Sequence, residues 1–130
     1  MKYKGIKIKK YDWSVDFFFN AYPGDIEEIL DSLYWMGASE HQIEDGIKTI
    51  KENEPNFGIT YSNLDNKKTV VILGNITSKE EFNNTVVHEI QHIIQSISKV
   101  YHIDPYGEDI SYLAGDIAEM LTPQTKHFFI

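Results

Sequence analysis

The chain of 130 residues lacks both cysteine and arginine, and all 12 of its basic residues are lysines. Without thiols no disulfide can form, and a bound metal ion would have to take nitrogen or oxygen ligands. Acidic residues number 20, which leaves a net charge of -8. An acidic chain without arginine is a poor match for nucleic acid, so we expect no nucleic-acid partner.

Long apolar runs are also missing. No stretch approaches the roughly 18 apolar residues of a membrane-spanning helix, so we expect no membrane association. The N-terminal segment MKYKGIKIKK has no apolar core of a secretory signal. Together with the absence of disulfides, this predicts a cytoplasmic protein. The oligomeric state is left open.

The residues that are present indicate a globular protein. Hydrophobic residues make up 42% of the chain and aromatic residues 13%, which is enough for a packed core in a single domain covering residues 1–130. The hydrophobic periodicity and the capping residues predict alternating strands and helices. The predicted elements are two short strands or one bent strand in 6–19, helices at 26–36 and from Ser39 to before Pro55, a hairpin of 57–61 with 69–73, a helix from about 79 to 101, and a last helix from 105 to about 121 that ends at Thr122–Pro123.

This order predicts an α+β fold in which a small antiparallel sheet packs on about four helices. Strand 69–73 is the candidate rim strand, to whose edge an extended peptide could pair. Gly115 is expected at a close contact between helices, since a glycine inside a helix otherwise costs about 1 kcal/mol. The apolar tail 126–130 is expected to pack back on the body.

The most informative motif is His88-Glu89-Ile90-Gln91-His92, an HExxH sequence within the long predicted helix. Residues four apart share one face of a helix, so His88 and His92 can bind one metal ion. At about 100° per residue, the apolar stripe of this helix lies opposite the two histidines. Glu89 lies one step around, where a carboxylate can act as a general base. A solvated histidine pair is the plainer alternative.

Other metal sites are less compatible with the residues. Glu89 and His92 also form an E-x-x-H motif, but a di-iron bundle needs a second one and none occurs. A metzincin would need glycine at position 95 and histidine at 98, where the chain has Gln95 and Ser98. A catalytic zinc usually has three protein ligands. The third would then be a carboxylate from the next helix, and the candidates are Asp104, Glu108, Asp109, Asp116 and Glu119.

The segments 81–92 and 103–117 resemble the small zincin-type proteins encoded by phages and mobile elements. In those proteins HExxH is followed by an acidic residue shortly before a Tyr-Leu-x-Gly helix, here Tyr112-Leu113-Ala114-Gly115. The resemblance covers about residues 68–121. It implies a minimal zincin-like fold and a gluzincin-like zinc metallopeptidase acting on peptides or proteins. Its zinc ligands would be His88, His92 and Glu108, with Asp109 as the alternative third ligand and Glu89 as the catalytic base.

Two other functions remain open. A zincin-shaped domain could hold a metal and bind a partner without turnover, which the small size of the chain favours. A purely structural site would have a fourth protein ligand, for which the candidates are His41, His127 and Glu119. The general base at Glu89 favours the enzyme.

Overall fold

The computed structural model describes the backbone of residues 1–129 and the side chains of residues 1–122. Four strands and four helices make up the described chain, which confirms the α+β class and the expected number of helices. The elements are β1 (Lys2–Ile8), β2 (Trp13–Ala21), α1 (Ile26–Met36), α2 (Glu40–Glu52), β3 (Gly58–Asn63), β4 (Lys68–Gly74), α3 (Lys79–Tyr101) and α4 (Glu108–Phe129).

The strands form one sheet in the order β1-β2-β4-β3. β1 and β2 are antiparallel, as are β3 and β4, but the central pair β2 and β4 is parallel. The prediction of a wholly antiparallel sheet is therefore wrong. The reason is the connection: α1, α2 and β3 lie between β2 and β4, and a crossover of that length can return the chain in the same direction.

β4 lies inside the sheet, so the prediction that 69–73 is a rim strand is wrong. Val70 to Leu73 are all buried, and a continuous apolar run is typical of a strand covered on both faces. The strand at this edge is β3. It pairs only with β4 among the described strands, in a register that runs from Gly58 opposite Leu73 to Asn63 opposite Lys68.

The two faces of the sheet carry separate cores, because alternate residues of a strand point to opposite faces. On one face, Phe17 and Phe19 of β2 pack with Phe82 of α3, and α4 joins the same cluster. On the other face, Phe18 packs with Ile29 of α1. The sheet thus separates two apolar clusters, one against α3 and α4 and one against α1.

The HExxH helix α3 has the predicted bounds. Its first turn is capped by Ser78, whose Oγ accepts a hydrogen bond of 3.1 Å from the backbone N–H of Glu81. Its end is marked by His102, which adopts a left-handed conformation with φ of 54°. α1 likewise ends at Gly37, where φ is 85° and a glycine is favoured.

α4 differs from the prediction at both ends. Asp104 begins a turn instead of the helix: its Oδ1 accepts from the N–H of Tyr106 at 3.0 Å, and its carbonyl oxygen accepts from the N–H of Gly107 at 3.1 Å. An aspartate makes such local bonds in turns as readily as at helix starts. The helix then runs through Pro123 to Phe129, although a proline inside a helix removes one backbone hydrogen bond and its ring crowds the preceding turn.

The close helix contact predicted at Gly115 is also wrong. Apart from its chain neighbours and the backbone of its own helix, no described atom lies within 4 Å of the position a Cβ would take there. Instead, Leu113, Ile117 and Leu121 are the buried stripe of α4. The packing predicted for 126–130 falls on side chains outside those described. Within residues 1–129, no helix is both long and apolar enough to cross a bilayer.

Candidate metal centre

The two histidines of the motif lie together on the exposed side of α3. The Nε2 atoms of His88 and His92 are 3.2 Å apart, and the rings are inclined at 84°. Two nitrogens bound tetrahedrally to one zinc at about 2.0–2.1 Å would be about 3.3 Å apart. The separation of the two nitrogens therefore matches that of two ligands in such a site. The same separation also suits a hydrogen bond between one protonated and one unprotonated ring nitrogen.

Glu89 points away from solvent, toward the edge strand β3. Its exposure is only 3%, which is unusual for a carboxylate. Thr60 Oγ1 donates a hydrogen bond of 2.8 Å to Glu89 Oε1. As predicted from the helical step, the glutamate lies beside the histidine face and not on it.

Gly58 gives the carboxylate its space. A Cβ at this position would lie 3.0 Å from Glu89 Oε2 and 2.6 Å from Thr85 Cγ2. A side chain here would therefore require Thr85 to shift and would crowd the carboxylate of Glu89. Gly58 and Thr60, two residues apart on the same strand face, thus adjoin the two oxygens of Glu89.

Further along the same face of β3, a second hydroxyl contact joins the strand to α3. Ser96 Oγ lies 2.9 Å from Ser62 Oγ and 3.1 Å from the carbonyl oxygen of His92, so its hydroxyl can donate to either. Ser62 Oγ in turn lies 2.8 Å from Thr69 Oγ1, which accepts a hydrogen bond of 2.9 Å from the buried Trp13 Nε1. This chain of polar contacts links the turn containing His92 to the centre of the sheet.

The proposed third ligands are placed less favourably. Glu108 is the exposed first residue of α4, and Asp109 Oδ1 lies 3.7 Å from Lys10 Nζ. Among the described side chains, no group of three or more histidines and acids is positioned to hold a metal. The structure thus brings His88 and His92 together without adding a carboxylate. The ligand role of Glu108, or of Asp109, remains a prediction, and His127 lies outside the described side chains.

On the side of α3 that faces away from β3, a groove of about 700 Å³ lies between this helix and α4. Its walls are mostly apolar, and Lys99 is the only charged residue among those that line it. Ser98 Oγ is buried there without a hydrogen-bond partner among the described residues. The residues lining the groove are Val87, Ile90, Gln91, Ile94, Gln95, Ser98, Lys99, Pro105, Ile110, Ser111, Ala114 and Ala118.

Sequence reasoning missed Gly58 and Thr60. A signal was available, because Gly58, Thr60 and Ser62 are small and alternate with the larger Ile59 and Tyr61. In a strand this alternation places the small residues on one face, where another element can approach closely. The pattern could not have indicated that the approaching residue is Glu89.

Comparison with known protein families, with curated proteins and with solved structures finds no match to the chain. The resemblance to zincin-type proteins therefore rests on the residues of the motif and of the segment that follows it.

Proposed function

We propose that this protein is a zinc-dependent hydrolase that cleaves peptide bonds, with His88 and His92 as metal ligands and Glu89 as general base. The observation that carries the proposal is the placement of these three side chains. Two imidazole nitrogens lie at the spacing of neighbouring zinc ligands, and a carboxylate with few contacts to solvent lies one helical step away. Imidazole nitrogens are common zinc ligands, and this chain has no cysteine thiolates to offer instead.

When bound, zinc supplies Lewis acidity, which polarises a carbonyl group and makes water more acidic. Glu89 accepts a proton from the attacking water as the oxygen of that water forms a bond to the carbonyl carbon. The same carboxyl group then gives the proton to the amide nitrogen as the C–N bond breaks, which leaves a carboxylate and an amine. Glu108, at the start of α4, would supply the third ligand if this end of the helix moves toward the histidines.

The position of β3 at the edge of the sheet favours the proposal of a peptide substrate. Its outer edge has no strand partner among the described residues, and its inner face contacts Glu89 through Thr60. An extended peptide can add to such an edge through main-chain hydrogen bonds. Its backbone would then run beside the base. The edge for peptide pairing would thus be that of β3, in place of strand 69–73 as expected from the sequence.

The deciding experiment replaces Glu89 by glutamine, which keeps the side-chain size and can still accept from Thr60. Zinc content and melting temperature of Glu89→Gln should stay near those of the wild type, while turnover should fall by at least about 10²-fold. Cleavage of unfolded protein and of a peptide library, read by mass spectrometry, measures this. Glu27→Gln, an exposed change on α1, is the matched control and should retain full turnover.

Cleavage that persists unchanged in Glu89→Gln would contradict the proposal and indicate a contaminant. If the zinc-loaded wild type cleaves nothing across a broad library, the second candidate function applies, a metal-holding domain that binds a partner without turnover. One observation favours that candidate: no described carboxylate joins the two histidines.

A further inference from the structure

A buried carboxylate needs hydrogen-bond donors, because leaving a charged group unpaired away from water costs several kcal/mol. At Glu89 the donor in the structure is the hydroxyl of Thr60, at 2.8 Å from Oε1. The two residues are 29 positions apart and lie on different elements, so the contact is a product of the tertiary fold. Gly58, which has no side chain, lies beside the other oxygen, Oε2.

We propose that Thr60 is a positioning residue for the general base. Its hydroxyl holds the carboxylate of Glu89 in one orientation beside the histidine pair. The carboxylate oxygen that accepts the proton then keeps the same position relative to the histidines. This inference rests on the proposed function, in which Glu89 takes a proton from water. A fixed base is more effective than a rotating one, because the cost of orienting it is met during folding.

The alternative is that Thr60 merely ties β3 to α3. The chain contains a matched control for that role. Ser62 lies on the same face of the same strand, and its Oγ lies 2.9 Å from Ser96 Oγ of the same helix. A change at Ser62 removes a comparable tie between β3 and α3 and leaves the Thr60 hydroxyl on Glu89 in place.

The test compares Thr60→Val, Thr60→Ser and Ser62→Ala with the wild type. Valine matches the shape of threonine without the hydroxyl, whereas serine retains the donor. We expect Thr60→Val to lower kcat about tenfold, the effect of one lost hydrogen bond, while KM and zinc affinity stay within about twofold. Thr60→Ser should recover kcat to within about threefold of the wild type, and Ser62→Ala should leave kcat unchanged.

A readout without turnover completes the test. Crystal structures of metal-free wild type and Thr60→Val should show one Glu89 rotamer in the former and several, or a shifted one, in the latter. If the valine variant does not fold, Thr60→Ala replaces it, since the smaller side chain lets water reach the carboxylate.

Each remaining outcome decides the question. Equal kcat in Thr60→Val and wild type, equal loss in Thr60→Val and Ser62→Ala, or an unmoved Glu89 in the valine variant would overturn the role of Thr60 alone. Absence of turnover by the zinc-loaded wild type would overturn the proposed function and this role with it.

Discussion

The two sides of the helix that carries the histidines are built differently. On the side of β3, hydroxyl groups connect strand and helix at two places, through Thr60 with Glu89 and through Ser62 with Ser96. On the side of α4, an apolar groove of about 700 Å³ lies between the helices. The side chain of Glu89 therefore has a polar contact with the neighbouring strand, whereas α4 packs on the core through Leu113, Ile117 and Leu121 and leaves the groove beside them open.

Both sides contain small residues, and the difference lies in what approaches them. Gly58 is small because Thr85 and Glu89 occupy the space in front of it. On α4, Ala114 and Ala118 line the open groove, and no described atom lies near the missing Cβ of Gly115. A small side chain thus permits a close contact but does not create one. Glu89 is thus closely surrounded by residues of β3 and α3, while the small residues of α4 face open space.

The largest expected effect tests the histidine pair, which lies between the two sides. The wild type should bind about one zinc per chain, and the double variant His88→Ala with His92→Ala should bind none, since two of the expected three ligands are lost. Elemental analysis after dialysis measures this. His41→Ala, a change on the exposed face of α2, should keep full zinc content. Equal zinc in the double variant and the wild type would rule out this metal site.

The next effect tests whether α4 closes on the histidines. Glu108→Ala should weaken zinc binding by a factor of tens, because a carboxylate ligand is lost, while Glu119→Ala should have no effect. Competition with a chelator gives the affinities. A larger loss in Asp109→Ala would identify that residue as the ligand instead. If neither Glu108→Ala nor Asp109→Ala weakens zinc binding, neither residue is a ligand. Of the two neighbours of α3, only β3 would then contact a residue of the candidate site.

Two glycine substitutions compare the packing directly. Gly58→Ala should lower the free energy of unfolding by about 1–3 kcal/mol, because its Cβ would overlap Thr85 and crowd Glu89. Gly115→Ala should raise it by about 0.5–1 kcal/mol, since alanine is the better helix former and the space is open. Chemical denaturation of both variants measures the difference. A stabilising Gly58→Ala would show that β3 and α3 are not closely packed.

A further effect on stability, which depends on pH, concerns the other face of β3, where the Tyr61 hydroxyl donates a hydrogen bond to Asp45. Burial, followed by this bond and the negative charge of Asp45, raises the pKa of Tyr61 above its usual value of 10. A raised pKa in the folded state means that the stabilisation is complete below pH 10 and is lost as the pH rises further. Tyr61→Phe should cost about 1 kcal/mol at pH 8.

Denaturation of the wild type and of Tyr61→Phe, measured from pH 8 to pH 11, tests this sign. The difference in stability between the two proteins should shrink above pH 10. A difference that is constant over the range, or that grows, would contradict the raised pKa.

Helical periodicity allowed much of the candidate site to be predicted. The bounds of α1 and α3 follow from capping residues and from the spacing of apolar residues, and both agree with the structure. The same spacing placed His88 and His92 on the face opposite the core stripe. These features are local, since each depends on residues within a few turns of one another.

α4 shows where local signals are ambiguous. Asp104 and Pro105 suit a turn as well as a helix start, and Pro123 suits a helix end although the helix continues. Only the competition between these local conformations in the folded chain selects one of them.

What the sequence determined by itself is the histidine pair and the glutamate one step beside it, because the geometry of a helix is the same wherever the helix lies. What only the tertiary structure decided is the surroundings of that helix. The parallel pairing of β2 with β4 makes β3 the edge strand and brings Thr60 to Glu89 across 29 residues. Contacts at such separations depend on the path of the whole chain, for which the spacing of residues within one element contains no information.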